Sequence, residues 1–343
     1  MSKILTEDAQ LILKEDLSWE KFRDAKVLVT GATGMIGSYI TRTLVELRRS
    51  SGWNIDIYVL VRNRARLPED LQNEVEVIEQ SVEEPVASDV KFKYVIHTAG
   101  PASPKIMKDN PVGTIAANTL GTYYTLEAAR KSNAEGYLFI SSREIYGQPY
   151  DGQAYFDEGT YGFVDPLSPR SCYPEGKKAA ETMCASFADQ YGLNAKIARL
   201  AHTYGPGMSI DDGRVQADFL RDVVNHRDIV LKSEGTAIRT YTYVGDAVSA
   251  MFRILLDSED MVYNIASEES TVSIKELAEA MVAAFPEREL KLVFDIPKSA
   301  GSTGCAPFTL GILSSERLRE IGWTERFGLT EGLKRTVEHI ESH

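Results

Sequence analysis

Apolar positions along the chain come in two textures that alternate. Val27-Leu28-Val29 has the unbroken hydrophobicity of a strand buried on both faces, and Ile40, Leu44 and Leu47 then recur at helical spacing. The same alternation predicts strands at 55–61, 75–78, 94–97, 138–140, 195–199, 229–231, 261–265 and 290–294. Helices are predicted from the first glycine turn to Arg49, over 112–131, from Tyr173 through Ala179, Met183, Phe187 and Ala188, over 215–225 and near 246–256. Further helices are expected over 273–285, 314–321 and 329–340, the first capped by Ser273 and carrying Ile274, Leu277 and Met281 on one face. Residues 3–24 read as a helical extension whose Leu11, Ile12, Leu17 and Trp19 pack on the domain they precede. No internal repeat or low-complexity linker interrupts the pattern.

Composition narrows this picture. The 343 residues suit one large domain or two unequal ones, with 43% hydrophobic and 26% charged residues, as in a soluble globular protein. A net charge of −12 argues against a nucleic-acid partner but leaves room for a few local cations around a nucleotide. No apolar run approaches the ~20 residues of a membrane span. Glu7, Asp8, Lys14, Glu15 and Asp16 break up any signal-peptide core. Cys172, Cys184 and Cys305 have neither metal-ligand spacing nor the look of a disulfide framework. The expectation is a reduced, cytoplasmic protein without a metal.

Candidate chemistry begins at Gly31-Ala-Thr-Gly34-Met-Ile-Gly37, between the first strand and the first long helix. Glycines also mark ordinary tight turns, but strand, glycine turn and helix in that order suit a dinucleotide pyrophosphate. An NAD site usually has an acidic residue at the end of the second strand. Here Arg62-Asn63-Arg64-Ala65-Arg66 stands instead. A guanidinium favours a 2′-phosphate and hence NADP(H), the bland alternative being a solvated basic loop. Thr98-Ala99-Gly100-Pro101-Ala102-Ser103-Pro104 supplies small residues for close approach to a cofactor. Ser142 and Glu144 follow the fifth strand, where an open parallel sheet holds its chemistry. Tyr173 and Lys177 are four residues apart and share a helix face. An ammonium beside a phenol is expected to lower its pKa and bring proton transfer into range. By itself such a pair is often incidental; after a dinucleotide turn and a serine-bearing strand it reads as catalytic.

Together these residues resemble the extended short-chain dehydrogenase/reductase enzymes that modify nucleotide sugars. The likeness covers nearly everything after about residue 25, and the UDP-glucuronate decarboxylase branch is the most similar that can be named. Its marks here are Pro101-Ala-Ser-Pro104, Asn110-Pro-Val112, Asn118-Thr-Leu-Gly-Thr122, Arg170-Ser-Cys-Tyr173, Gly176-Lys177, Asp212-Gly-Arg-Val215 and Arg239-Thr-Tyr-Thr-Tyr-Val-Gly-Asp246. The resemblance implies that Ser142 bonds the substrate hydroxyl, Tyr173 takes its proton, Lys177 holds the cofactor ribose and Glu144 faces the sugar. It implies cofactor contacts at Gly31, Thr33, Gly34, Met35, Ile36, Gly37, Arg62, Asn63, Val82, Thr98, Ala99, Gly100, Asn118, Ser141, Leu200 and His202, besides Tyr173 and Lys177. Ser81 stands where related enzymes carry an adenine-contacting Asp. Substrate contacts are expected at Pro101, Ser103, Arg143, Glu144 and His202, with Arg214 and Arg239 on the nucleotide diphosphate. Three positions depart from the pattern. Arg143 stands where the decarboxylase has a serine and 4,6-dehydratases an acid; His202 replaces a usual asparagine; Cys305-Ala-Pro-Phe308 replaces an arginine-bearing segment.

The expected fold is α/β: a Rossmann-like doubly wound parallel sheet with a smaller C-terminal α/β substrate lobe. Residues 1–24 form the extension, 25–200 the dinucleotide-binding domain with 236–265 returning to it, and 201–235 with 266–343 the lobe. The cofactor is NADP or NAD, with NADP favoured by Arg62. The resemblance also implies a homodimer through the helices at 112–131 and 171–191 and a nucleotide-sugar substrate. Its reaction is oxidation followed by epimerisation or decarboxylation with the hydride returned. Net reduction of a keto sugar, or a regulator that kept the fold without the chemistry, are the alternatives.

Overall fold

The computed structural model describes residues 3–296 and 311–342. Helix α1 (Lys3–Ile12) turns Ile4, Leu5, Ala9 and Ile12 inward, and a 3-10 turn at Trp19–Phe22 buries both of its rings. Strand β1 (Lys26–Thr30) then passes through the glycine turn into α2 (Met35–Ser51), against which α1 packs. Next come β2 (Asp56–Val61), β3 (Glu76–Glu79), β4 (Tyr94–His97), α3 (Pro104–Asp109), α4 (Pro111–Ser132) and β5 (Gly136–Ser142). Helix α5 (Cys172–Tyr191) and β6 (Ala195–Leu200) complete the first half.

Alternation within the strands explains why helices cover both faces of the sheet. Val27 and Val29 of β1, Tyr94 and Ile96 of β4, and Leu138 and Ile140 of β5 point into one apolar cluster with α1 and α2. Leu28, Val95, Tyr137 and Phe139 point the other way, against Ala117, Leu126 and Ala129 of α4 and Ala180, Cys184 and Phe187 of α5. Burying one such Val or Leu contributes about 1.5–3 kcal/mol, so an acidic residue at Leu28 would break the layer. Asn133 and Gly192, both in the left-handed conformation, end α4 and α5.

The second half is β7 (His202–Tyr204), α6 (Val215–Val224), β8 (Ile229–Leu231), β9 (Ile238–Tyr243), α7 (Val244–Asp257) and β10 (Val262–Ile265). After them lie β11 (Thr271–Ser273), α8 (Ile274–Ala284), β12 (Leu292–Phe294), α9 (Glu316–Glu320) and α10 (Leu329–Glu341). Seven strands form one parallel sheet in the order β10-β6-β5-β4-β1-β2-β3. Between β1 and β4 the winding reverses, so the carboxyl ends of those two strands open a crevice. Ser273 caps α8 through a reciprocal bond with Glu276.

The return to the main sheet starts later than the sequence suggests. Residues 238–243, expected with the dinucleotide-binding half, form β9, which pairs in parallel with β7 and antiparallel with β11. Only from Val244 does α7 pack back on β5 and β6. The helix expected over 314–321 is short, Glu316–Glu320, and α3 was not expected at all. Among the described residues no helix is long and apolar enough to cross a membrane.

One buried carboxylate ties the extension to both halves. Asp8 accepts hydrogen bonds from the hydroxyls of Tyr39 (2.9 Å) and Tyr243 (2.6 Å) and from Arg335 Nη2 (2.7 Å). These partners lie on α2, β9 and α10, so α1 keys the helix behind the glycine turn to the lobe.

Candidate active site

Gly31 sits at φ 76°, and a Cβ there would stand 2.7 Å from Thr98 Oγ1 and 2.9 Å from the Ala99 nitrogen. A Cβ on Gly37 would run into the Gly31 carbonyl. The turn is therefore closed so tightly that α2 and β4 meet it with backbone alone. Thr98 Oγ1 donates to the Thr30 carbonyl (2.6 Å), and the Ala99 N–H donates to Thr30 Oγ1 (3.1 Å). Gly34 caps α2 without a side-chain acceptor, so the first N–H groups, on Met35, Ile36 and Gly37, face outward beside exposed Thr33. That cradle fits a pyrophosphate.

The other expected cofactor positions ring this crevice or its flanks. Arg62 and Asn63 are exposed directly after β2, and Asn63 Oδ1 accepts the Ala65 N–H at 2.9 Å. Val82 lies under α4 against Gly121. Asn118 donates to the Thr114 carbonyl (2.8 Å), while its buried Oδ1 lies against Gly100 without a hydrogen-bond partner. Leu200 is buried at the end of β6. Ser141 donates to Glu181 (2.6 Å), which also grips Arg199 (2.7 Å), so its hydroxyl faces into a structural ion pair.

Tyr173 and Lys177 both lie on α5, the Lys177 Nζ 5.8 Å from the centre of the Tyr173 ring, and Ser142 ends β5. The Ser142 hydroxyl lies close enough to the buried Tyr173 phenol to favour its ionised form, and it accepts the Glu144 N–H at 3.2 Å. The electrostatics differ from the sequence expectation. Burial, followed by the Glu144 carboxylate, pushes the Tyr173 phenol up to about 12, against the opposing influence of Ser142, Arg214 and Arg170. Lys177 does not lower it. Its Nζ donates to the Ile140 carbonyl at 2.7 Å and lies over the Phe139 ring, 4.5 Å from the centroid. Burial holds that amine down to about 7, so near neutral pH only part of the population carries the ammonium charge.

Around the tyrosine lies a set of charged groups, and buried atoms of Glu144, Arg170, His202 and Tyr241 have no hydrogen-bond partner among the described residues. Arg170 Nη2 donates to Glu144 Oε1 at 2.9 Å, yet Glu144 Oε2 and Arg170 Nε and Nη1 are buried without partners. Arg143 is buried, its guanidinium brought down to about 10 by desolvation, and its Nε–H donates to His202 Nε2 at 3.4 Å. His202 Nδ1 and the Tyr241 hydroxyl are likewise buried without partners, and the two rings stand 5.6 Å apart. Burial first, then Arg143, Arg239 and Arg214, holds the imidazole well below its usual pKa. Arg214 pairs with Asp212 through Nε (2.7 Å). The Asp212 carbonyl accepts from Ser103 (2.8 Å), tying the loop that holds Pro101 to the loop that holds Arg214. Arg239 donates to the Ile238 carbonyl (2.7 Å). Cys305-Ala-Pro-Phe308 lies outside the described residues.

Arg170 and Tyr241 were not singled out from the sequence as site residues. The signal for Arg170 was its place three residues before Tyr173; that for Tyr241 was its place two residues after Arg239 in the Arg239–Asp246 run, though β9 was not foreseen. Native proteins rarely leave buried polar atoms unpaired. Those of Glu144 and Arg170 lie beside Tyr173 and those of His202 and Tyr241 beside Arg143, as a polar ligand site requires.

A parallel sheet with a glycine cradle at its switch point, and a Ser–Tyr–Lys set beyond the next strands, defines a dinucleotide-dependent enzyme of the extended short-chain dehydrogenase type. Residues 27–266 match the NAD dependent epimerase/dehydratase family, and the chain belongs to it. UDP-glucuronic acid decarboxylase 6 of Arabidopsis thaliana is 32% identical over 311 residues, covering 90% of this chain and 86% of that protein. The UDP-glucose 4-epimerase of Thermotoga maritima, solved with UDP-glucose, superposes with a TM-score of 0.78 at 25% identity, covering 92% of this chain and 99% of that one. The Thermus thermophilus UDP-glucose 4-epimerase, solved with NAD, gives 0.72 at 26% identity, covering 92% of this chain and 98% of that one.

Proposed function

We propose that this enzyme acts on a nucleotide-linked sugar, oxidising a ring hydroxyl, carrying out a second step on the resulting ketone and returning the hydride. The observation that carries the reading is the half-paired Glu144–Arg170 ion pair set beside the buried Tyr173 phenol, with Ser142 next to it. When bound, NAD(P) supplies the hydride acceptor and later gives the hydride back. The cradle at Gly31, Gly34 and Gly37 receives the pyrophosphate, and Lys177 the ribose. Ser142 holds the substrate hydroxyl in line, and Tyr173 removes its proton and later restores it. Glu144 faces the sugar, and Arg214 and Arg239 suit the diphosphate.

For the second step we favour decarboxylation of a uronate. Arg143 and Arg170 bring two guanidiniums to the neighbourhood of Glu144, beside the tyrosine, which suits a carboxylate on the sugar, and the relative from Arabidopsis is named for that reaction. The balance is simple. Oxidation next to the carbon that bears the carboxylate gives a β-keto acid, the C–C bond to the carboxylate breaks, carbon dioxide leaves, and a proton fills the vacated position. Arg143 has no proton to give as an acid at neutral pH, which weakens any 4,6-dehydration.

The preferred cofactor in this reading is NADP(H), supported by exposed Arg62 after β2. A homodimer is supported by the apolar side chains left exposed along α4 and the end of α5: Val112, Ile115, Leu120, Tyr123 and Tyr191. Cytoplasmic residence is supported by the free, buried thiols of Cys172 and Cys184.

The test is a panel of UDP- and dTDP-linked sugars and uronates, followed by cofactor absorbance and product mass together. Loss of carbon dioxide without net cofactor change is the expected result. Unchanged mass with an inverted centre makes the enzyme an epimerase, and stoichiometric NADPH loss makes it a keto-sugar reductase. Tight cofactor binding with no turnover on any member would overturn the enzymatic reading in favour of a regulator.

A further inference from the structure

We infer that Arg143 is a positioning residue that fixes the tautomer of His202, so that the imidazole offers Nδ1–H to an anionic oxygen of the ligand gripped by Arg214 and Arg239. The identity of that ligand rests on the proposed function; the tautomer does not.

Register brings the two residues together. Strands β5 and β6 pair as far as Ser142 opposite Leu200, so Arg143 and His202 emerge beside one another at the carboxyl edge of the sheet. Arginine Nε can only donate. Its 3.4 Å approach to His202 Nε2 is long for a hydrogen bond, but it runs in one direction only, toward a bare imidazole lone pair. A neutral imidazole that accepts at Nε2 carries its proton on Nδ1. That Nδ1 is buried and has no hydrogen-bond partner among the described residues, so its proton is open to a ligand oxygen.

The surrounding charges keep the ring in this state. Arg143 faces it from the turn after β5, Arg214 from the loop before α6, and Arg239 and Tyr241 from β9, along with the Thr240 backbone. Glu144 is the nearby carboxylate, and it faces Arg143 and Arg170. An imidazolium among three guanidiniums would be repelled, whereas a neutral N–H adds a donor without a fourth charge. Such a donor points an anion's oxygen into a fixed place between the cations.

The geometry also joins two separate departures from the family pattern. Where the family's asparagine stands, an amide N–H is available without help. A histidine provides a donor of the same sense only if its tautomer is fixed, and the arginine in the serine's place fixes it. On this account Arg143 and His202 are one change made at two positions.

The experiment uses the full chain with ¹⁵N-labelled histidine. Imidazole nitrogen shifts are followed from about pH 5 to 8, the interval in which an unperturbed histidine titrates, and His202→Asn assigns the signal. The expected result is an Nδ1–H tautomer that does not titrate; an Nε2–H tautomer in the unmodified protein overturns the proposal whatever the variants do. Calorimetry with UDP supplies the second arm. Arg143→Met should release the tautomer, so that the Nε2–H form appears, and weaken UDP by about tenfold or more, the scale of a lost charge-assisted bond. Arg143→Ser combined with His202→Asn should bring affinity back to within about threefold of the parent, a non-additivity expected only of coupled residues. Losses that simply add would overturn the coupling. If the unmodified protein shows the Nδ1–H tautomer but does not bind UDP, the nucleotide-sugar reading fails and the positioning role stands.

Discussion

Lys177 holds its Nζ 2.7 Å from the Ile140 carbonyl and 5.8 Å from the centre of the Tyr173 ring. The two side chains share a helix face, but the amine is turned into the sheet. Both members are consequently displaced away from charge: the amine falls to about 7 and the phenol rises to about 12. The pair is poised for a ligand rather than active without one.

That displacement has a stability signature. In the unfolded chain Lys177 titrates near its ordinary 10.5, and in the fold near 7. Below pH 7 both states carry the charge, and the fold bears the full cost of burying it. Between those values the unfolded chain holds a proton the fold has released, so stability rises with pH. Lys177→Met should therefore stabilise the ligand-free protein most near pH 7 and below, with the gain shrinking toward alkaline pH. Thermal melts of both proteins across that range check the sign. A gain that grows with pH would show that the amine is not buried as described.

Arg62 should decide the cofactor. It is exposed at the end of β2, where a 2′-phosphate or its hydroxyl would lie. Arg62→Asp removes a charge-assisted partner and adds a repulsive one. The ratio of NADP to NAD affinity should fall by about 10–100-fold, the equivalent of one ionic hydrogen bond. Titration calorimetry with each dinucleotide reads it, and an unchanged ratio would return Arg62 to the status of a solvated loop residue.

Much of this was legible in the chain because the main sheet is coded redundantly. Val27-Leu28-Val29 is apolar without a break because each residue faces one of two helical layers, and that signal survives without any partner in view. The β7-β9-β11 sheet has no such signal. Its strands are three to six residues long, and Arg239-Thr-Tyr-Thr-Tyr243 mixes polar and aromatic groups whose burial depends on neighbours distant in sequence. The Tyr173–Lys177 spacing was legible, but the direction of the lysine was not. The carbonyl that claims it belongs to β5, which periodicity does not place beside the helix.

Asp8 gives the extension a testable role. Its carboxylate is buried against Tyr39, Tyr243 and Arg335, whose side chain is itself largely buried. Asp8→Ala leaves both tyrosine hydroxyls without this acceptor and that guanidinium with Glu7 (3.3 Å) and Glu331 (3.7 Å), and should cost about 1–3 kcal/mol. Asp8→Asn, which keeps an acceptor for the tyrosines, should cost less. Denaturant unfolding of the two variants checks the order; equal stabilities would mean that α1 adheres by its apolar face alone.

The final prediction concerns the proton. Tyr173 is the buried phenol beside Ser142, flanked by Glu144 and Arg170. Tyr173→Phe should reduce turnover by ~10²–10⁴-fold, the range for a lost general acid–base, with dinucleotide affinity close to the parent's. Glu144 supplies a second, independent reading. Its carboxylate is the largest influence after burial that raises the Tyr173 pKa. Replacing it with the neutral Glu144→Gln removes that repulsion, so the phenolate forms at lower pH. The acid limb of the kcat/KM profile should move toward lower pH even as turnover falls through loss of the carboxylate facing the sugar. Near-normal turnover in Tyr173→Phe would sink the assignment outright. An acid limb that stays in place in Glu144→Gln would mean that the titrating base is not the phenol beside it.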